Sequence, residues 1–199
     1  MNTNCPKALE KKIIKIISGS SVPEDYAHAL KTRDWVLKLK PEADWPLQIA
    51  ALAHDIERAF PHKKVKRQDF DDYDEFKKAH AANSTQIMRE ILNQYSLDPE
   101  IKERILTLIK HHELSSDNDP DLAVLKDADS LSFFEVNLPL YAQRNSDSEV
   151  LFRMKWGYQR LSPSARLKVE NLHFQNERLN KFVEEVILSE KAKSRQDFI

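Results

Sequence analysis

The chain has 199 residues, with 31 Lys plus Arg against 32 Asp plus Glu and a net charge of −1. That length can bury a sizeable core as one domain without covalent staples, and the balanced charge excludes a global field that would attract nucleic acid or an anionic membrane. A single cysteine, Cys5, and only two glycines, Gly19 and Gly157, exclude a disulfide framework, a thiolate metal site and glycine-rich phosphate loops.

Helical periodicity recurs from end to end and strand alternation is missing, so an all-α fold is expected. A first helix is predicted near 6–17. Its run Ile13-Ile14-Lys15-Ile16-Ile17 is too short and too charged for a signal peptide or a membrane span. No other segment approaches membrane length, and a cytoplasmic chain is expected. A second helix starts near Ser21 with Pro23 in its first turn, carries His28, and ends before Pro41. Asp44 caps a third, read as Leu47 to Phe60. Its centre, Ile49-Ala50-Ala51-Leu52-Ala53, is apolar almost all round and should be buried. The adjacent pair His54-Asp55 follows on the same helix.

A polar loop spans 61–72, and its basic run Lys63-Lys64-Val65-Lys66-Arg67 reads first as a solvated segment. A fourth helix, 73–95, carries His80 in a polar stretch. Asp98 caps a fifth, whose seam Ile101, Ile105, Leu108 continues to His112. A turn-rich loop covers 115–120. The sixth helix holds Leu122, Leu125, Asp129 and Phe133, with Asp129 facing inward and Asp127 not obviously so. The remainder reads as two or three longer amphipathic helices punctuated by Pro139 and Pro163. They flank the core and offer a surface for a homodimer.

Seven histidines occur, and four of them form an ordered pattern with two aspartates: His28, His54-Asp55, His80, His112, Asp129. Imidazole with carboxylate is the ligand set of borderline and hard divalent metals. A site assembled from several helices of a bundle suits this spacing. Buried polar groups need partners, and a metal supplies one to each. A lone histidine on an apolar face is usually a satisfied core residue, but six ionisable groups at inward positions share one explanation more readily than six. His62 and His173 lack an apolar context and are read as surface residues.

The order His28, His54-Asp55, Asp129 resembles the HD-domain superfamily of metal-dependent phosphohydrolases over 22–141, with 142–199 as a C-terminal helical extension. Ala53-His54-Asp55-Ile56 and Leu125-Lys126-Asp127-Ala128-Asp129-Ser130-Leu131 are its most specific pieces. The resemblance implies an HD-type helical bundle in which His28, His54, Asp55 and Asp129 hold one metal. His80 and His112 resemble the dinuclear subgroup, where Asp55 would bridge to a second ion. The implied cofactor is one or two ions of Mn, Fe, Co, Ni or Zn. Arg58 would join Asp55 in catalysis and contact substrate phosphate, together with Lys126, His111 or the basic loop. Glu24, one turn before His28, would be an added ligand or an outer support.

Two departures limit the resemblance. No Gly-Tyr-Pro element follows His111-His112-Glu113, so cyclic-dinucleotide cleavage does not carry over. Ile56-Glu57-Arg58 also differs from the acidic placements of the deoxynucleotidase and alarmone-hydrolase branches. The leading expectation is hydrolysis of a nucleotide or other small phosphoester by metal-activated water. The alternatives are a di-iron oxygenase cleaving a C–C or C–P bond, with Tyr26 as a gate, and a non-catalytic helical module with a structural metal.

Overall fold

A computed structural model of the chain describes residues 7–113 and 119–196. Cys5 and the residues 114–116 that follow His112-Glu113 lie outside them. The described residues form an all-α structure without strands, in the order α1 (Lys7–Ile17), α2 (Pro23–Leu39), α3 (Trp45–Ala53), α4 (Tyr73–Leu92), α5 (Pro99–His111), α6 (Pro120–Ser132), α7 (Leu138–Arg144), α8 (Asp147–Arg160), α9 (Pro163–Glu170) and α10 (Glu177–Gln196). No helix among them is long and apolar enough to cross a membrane.

Local chemistry explains the helix starts. The side chains of Asp44, Asp72 and Asp98 accept from the backbone N–H of Leu47 (3.0 Å), Glu75 (2.8 Å) and Glu100 (2.8 Å). Each thereby satisfies a donor that the first helical turn leaves without a partner. Proline stands in the first turn of α2, α3, α5 and α6, where its missing N–H costs nothing.

α3 is the axis of the fold. Leu47, Ile49, Ala50, Ala51, Leu52 and Ala53 are all buried, and α1, α2, α5 and α6 pack around it. Its three alanines let neighbouring backbones approach closely. α4 packs on α5, and α2 on α6. On the other side, α8 packs against α6 and α7, and α10 against α8 and α9. Asp127 fastens this corner: it is buried and accepts from Ser162 N (2.8 Å) and Ser162 Oγ (2.5 Å) at the start of α9. The sequence pattern alone does not obviously turn Asp127 inward. Its inward turn answers a hydroxyl on a distant helix, which periodicity cannot register.

α3 is shorter than the expected 47–60. It ends at Ala53; His54 is its C-cap and Asp55 (φ −103°, ψ 19°) leaves helical geometry before a 3-10 turn at Ile56–Ala59. Adjacent residues in a continuous α-helix diverge by about 100°, so this break is what lets both side chains face one point. Where two or three longer C-terminal helices were expected, the described chain after residue 137 forms four: two short ones, α7 and α9, and two longer ones, α8 and α10. A wider π-type turn at Phe133–Asn137 joins α6 to α7.

Candidate metal centre

Five helices each deliver one or two ligand-type side chains to the centre of the bundle. His28 comes from the middle of α2, His54 and Asp55 from the end of α3, His80 from α4, His112 and Glu113 from the end of α5, and Asp129 from α6. All four histidines are buried, with His54 and His112 at 0 % exposure. The ligand atoms fall into two sets. His28, His54 and Asp129 form one; Asp55, His80, His112 and Glu113 form the other. Asp55 lies between them, its carboxylate 3.7 Å from His54 Nε2 and 3.9 Å from His28 Nε2.

The outer nitrogen of every imidazole is already committed. His54 Nδ1 donates to Ala51 O (2.8 Å) and His112 Nδ1 to Ile109 O (2.7 Å). Each ring thus takes a carbonyl three residues back, at the point where its helix ends. His80 Nδ1 donates to Glu57 Oε1 (2.6 Å). Ser132 Oγ donates to His28 O (3.0 Å), which leaves its lone pair to accept from His28 Nδ1 (2.8 Å). The acceptors fix one tautomer for all four rings. In it Nδ1 carries the proton and the neutral ring's Nε2 presents a lone pair inward, free to take a metal or, as at His80 beside Asp55, a second proton. A metal-binding histidine has this arrangement, its outer N–H held by a carbonyl or carboxylate.

The inward atoms fit a cation. In the first set the three separations are 3.1 Å (His28 Nε2 to His54 Nε2), 3.2 Å (His28 Nε2 to Asp129 Oδ1) and 3.4 Å (His54 Nε2 to Asp129 Oδ1). Two donors each about 2.1 Å from one ion, at roughly 95–109° to each other, lie about 3.1–3.4 Å apart. Two imidazole lone pairs aimed at one another at 3.1 Å otherwise need a bridging proton. Without a metal, the protein supplies that charge itself. Burial opposes a protonated His54, but Asp55 and Asp129 outweigh it and raise the ring to about 9. Burial likewise opposes the Asp55 carboxylate, yet Arg58, His54 and His80 hold it well below the usual range; His28, His54 and Arg160 do the same for Asp129.

The second set is more self-contained. His80 Nε2 stands 2.5 Å from Asp55 Oδ1, the distance of a shared proton. His112 Nε2 is 3.3 Å from Glu113 Oε1 and has no hydrogen-bond partner. Glu113 is buried and ion-paired with Lys77 and with Arg160 Nη2 (3.1 Å). Despite burial, those cations hold its carboxyl below the usual range.

His28 and Asp129 open onto a cleft of about 220 Å³. Basic side chains line it: Arg58, Arg67, Lys77, Arg153 and Arg160. Arg58 Nε holds Asp55 (2.8 Å) and its Nη1 reaches Asp25 (3.4 Å). Arg160 Nη1 holds Asp129 (3.1 Å). Aromatic rings of Tyr73, Phe76, Phe133 and Trp156 complete the walls.

All six expected ligands therefore converge, and His80, on an outwardly polar helix, is as buried as the others. Arg58 reaches both Asp55 and the cleft. Other expectations fall elsewhere. His111 is exposed at the end of α5 and does not line the cleft. Lys126 borders a separate depression between α6 and the α8–α9 corner, with Gln159 and Pro163. Both miss because the end of α5 and the middle of α6 turn their outer faces away from the cleft. Tyr26 is 40 % exposed and outside the cleft. Glu24 lines the cleft but pairs with Arg144, apart from both ligand sets. His62 and His173 are exposed, as read from their polar surroundings.

Sequence reasoning missed Glu113, Glu57 and the arginines of α8. Glu113 adjoins a seam histidine, which was a usable signal. Glu57 was not legible, since its role is to receive His80 Nδ1, Asn83 Nδ2 and Val65 N (3.2 Å). The i, i+3, i+7 spacing of Arg153, Trp156 and Arg160 puts them on one face, but only the fold reveals that this face meets the ligands.

No curated protein and no solved structure matches the chain. One family model does, over residues 6–183, and its span runs from α1 into α10, including every ligand and the basic face of α8. The chain belongs to that family, described as a domain of unknown function (DUF4202).

Proposed function

We propose that the chain is a metal-dependent phosphohydrolase of the HD type, acting on a nucleotide or another small phosphoester. The observation that carries this reading is the convergence of His28, His54 and Asp129, spaced as ligands of one ion, with His28 and Asp129 lining a basic cleft. A divalent transition ion held there would supply Lewis acidity and a nucleophilic water near neutral pH. The nitrogen-rich set suits Mn, Fe, Co, Ni or Zn better than Mg.

The chain's own groups do the rest. Arg58 and Arg160 hold the Asp55 and Asp129 carboxylates ionised and fixed in place. Both guanidiniums also line the cleft, where they offset charge on a phosphoryl group. Phe133 and Trp156 restrict water at the same surface. The cleft is smaller than the roughly 300–1,000 Å³ of sites for drug-sized ligands, which favours a compact substrate. Five cationic side chains around it favour an anionic one and so favour hydrolysis of a phosphoester over oxidation of a neutral compound.

The test is elemental analysis of the purified protein, followed by a phosphate-release screen over nucleotides and small phosphoesters with each metal found. The expected result is at least one bound transition ion and turnover that Asp55→Ala removes together with the metal. An Asp55→Ala protein that keeps full metal content and full activity overturns the assignment of Asp55. A protein that binds no transition ion overturns the whole reading.

A further inference from the structure

Among the described residues, Arg153 is the one cation of the cleft with neither an ion pair nor a hydrogen bond. Arg58 pairs with Asp55 and Asp25, Arg160 with Asp129 and Glu113, and Lys77 with Glu113. Arg67 donates to Phe70 O. Arg153 instead lies among rings. Its guanidinium carbon is 4.8 Å from the Tyr73 centroid, 5.2 Å from Phe133, 5.5 Å from Trp156 and 5.9 Å from Tyr141. Its Nη1 is shut off from solvent and has no hydrogen-bond partner. Burial, with Arg58 and Arg160, lowers its pKa to about 9 against an opposing pull from Asp55.

Two explanations compete. Cation–π contacts are worth roughly 0.5–2 kcal/mol each, so the rings could hold Arg153 as a packing element alone. A packing element, however, gains nothing from a charge placed beside two other arginines with a buried N–H unpaired. Leaving such a donor unsatisfied has a cost that an anion removes. A guanidinium presents a planar fork matched to carboxylate or phosphate, and the rings around it exclude competing water.

We propose that Arg153 is a specificity-determining residue that binds a second anionic group of the substrate, a carboxylate or a phosphate, while the phosphoester lies at His28 and Asp129. The inference rests on the phosphohydrolase reading and deepens it. Arg160 touches Asp129 at the ligand end, and Arg153 stands seven residues earlier on the same face of α8, roughly 10 Å away along the helix axis. The substrate is then a short molecule with anions at both ends. Trp156, between the two arginines and within 4.4 Å of the Arg160 guanidinium, walls its middle.

Three four-carbon alkyl phosphates test this on the metal-loaded protein. They end in a methyl (n-butyl phosphate), a carboxylate (4-phosphonooxybutanoate) or a second phosphate (butane-1,4-diol bisphosphate). Isothermal titration should show at least one doubly anionic probe binding ten-fold or more tightly than n-butyl phosphate, and which one identifies the second anion. In Arg153→Met the three affinities should converge within about two-fold, while Arg153→Lys should keep part of the preference. Thermal melting of each variant checks that it is folded. The proposal is overturned if wild type shows no preference, if the preference survives in Arg153→Met, or if Arg153→Met weakens all three probes equally, as loss of packing would. Binding of n-butyl phosphate without any preference overturns Arg153 alone. Failure of all three to bind overturns the phosphoester reading with it.

Discussion

The two ligand sets sit side by side and share Asp55 as neighbour, yet they differ in spacing and in access. His28, His54 and Asp129 stand 3.1–3.4 Å apart, and two of the three face the cleft. In the other set, His80 and Asp55 have closed to 2.5 Å, Glu113 is paired with Lys77 and Arg160, and none of the four ligands lines the cleft. The same residue types thus give one place open to an ion and substrate, and one whose negative charge the protein already neutralises. On the proposed function the first would be the primary site, and the second would compete with internal cations for any ion it takes.

The severest way to break this comparison is to remove a ligand of the first set. His54→Ala or Asp129→Ala should bring bound metal close to zero, and activity with it, by far more than the about 10–100-fold that loss of an outer partner costs. Elemental analysis and phosphate release check it. The second set should respond in the opposite sense to loss of its cation. Lys77→Met leaves Glu113 paired with Arg160 alone, so the ion-to-protein ratio should rise from about one toward two under metal excess, whereas Glu113→Gln should hold it at one. A ratio of two in wild type at low metal would erase the distinction.

Of the side chains in the two sets, Glu57→Gln loosens only His80. It should weaken a second ion by about 10–100-fold and leave the first unaffected, as metal titration would show. The smallest effect is pH-dependent. In metal-free protein His54 is raised from 6.5 to about 9. Its stabilising charge is fully present below about 6.5 and is lost as pH rises through about 9. Asp55 and Asp129 are lowered, so their contribution is present above their ordinary carboxylate range and is lost as pH falls below it. Melting temperature without metal should therefore peak between about pH 4.5 and 6.5. Metal needs the neutral ring, so metal-loaded protein should keep its stability, or gain it, from pH 6.5 to 9.

The histidines and aspartates of the centre were more legible in the sequence than the groups that surround them, for a physical reason. His112 continues a visible apolar seam, and His54-Asp55 closes an apolar run, so burial of a titratable group was readable from periodicity alone. The early end of α3 was not, because Ile56 continues the apolar pattern; hydrogen bonding from the His54 ring to Ala51 O ends the helix there. Glu113, Glu57 and Arg153 sit in charged stretches that look solvated. What buries Glu57 is contact with α4, and what pairs Glu113 is Lys77 of α4 and Arg160 of α8; each partner lies more than 20 residues away in the chain.

α3 and α5 both end on a histidine of the centre, and this sets an order of events. Each helix carries a macrodipole with roughly half a negative charge at its carboxyl end. Two such ends point at one spot, where they draw in a cation and turn away phosphate. On the proposed function this favours loading of the ion before the substrate, and a chelator should lower ligand affinity as well as turnover.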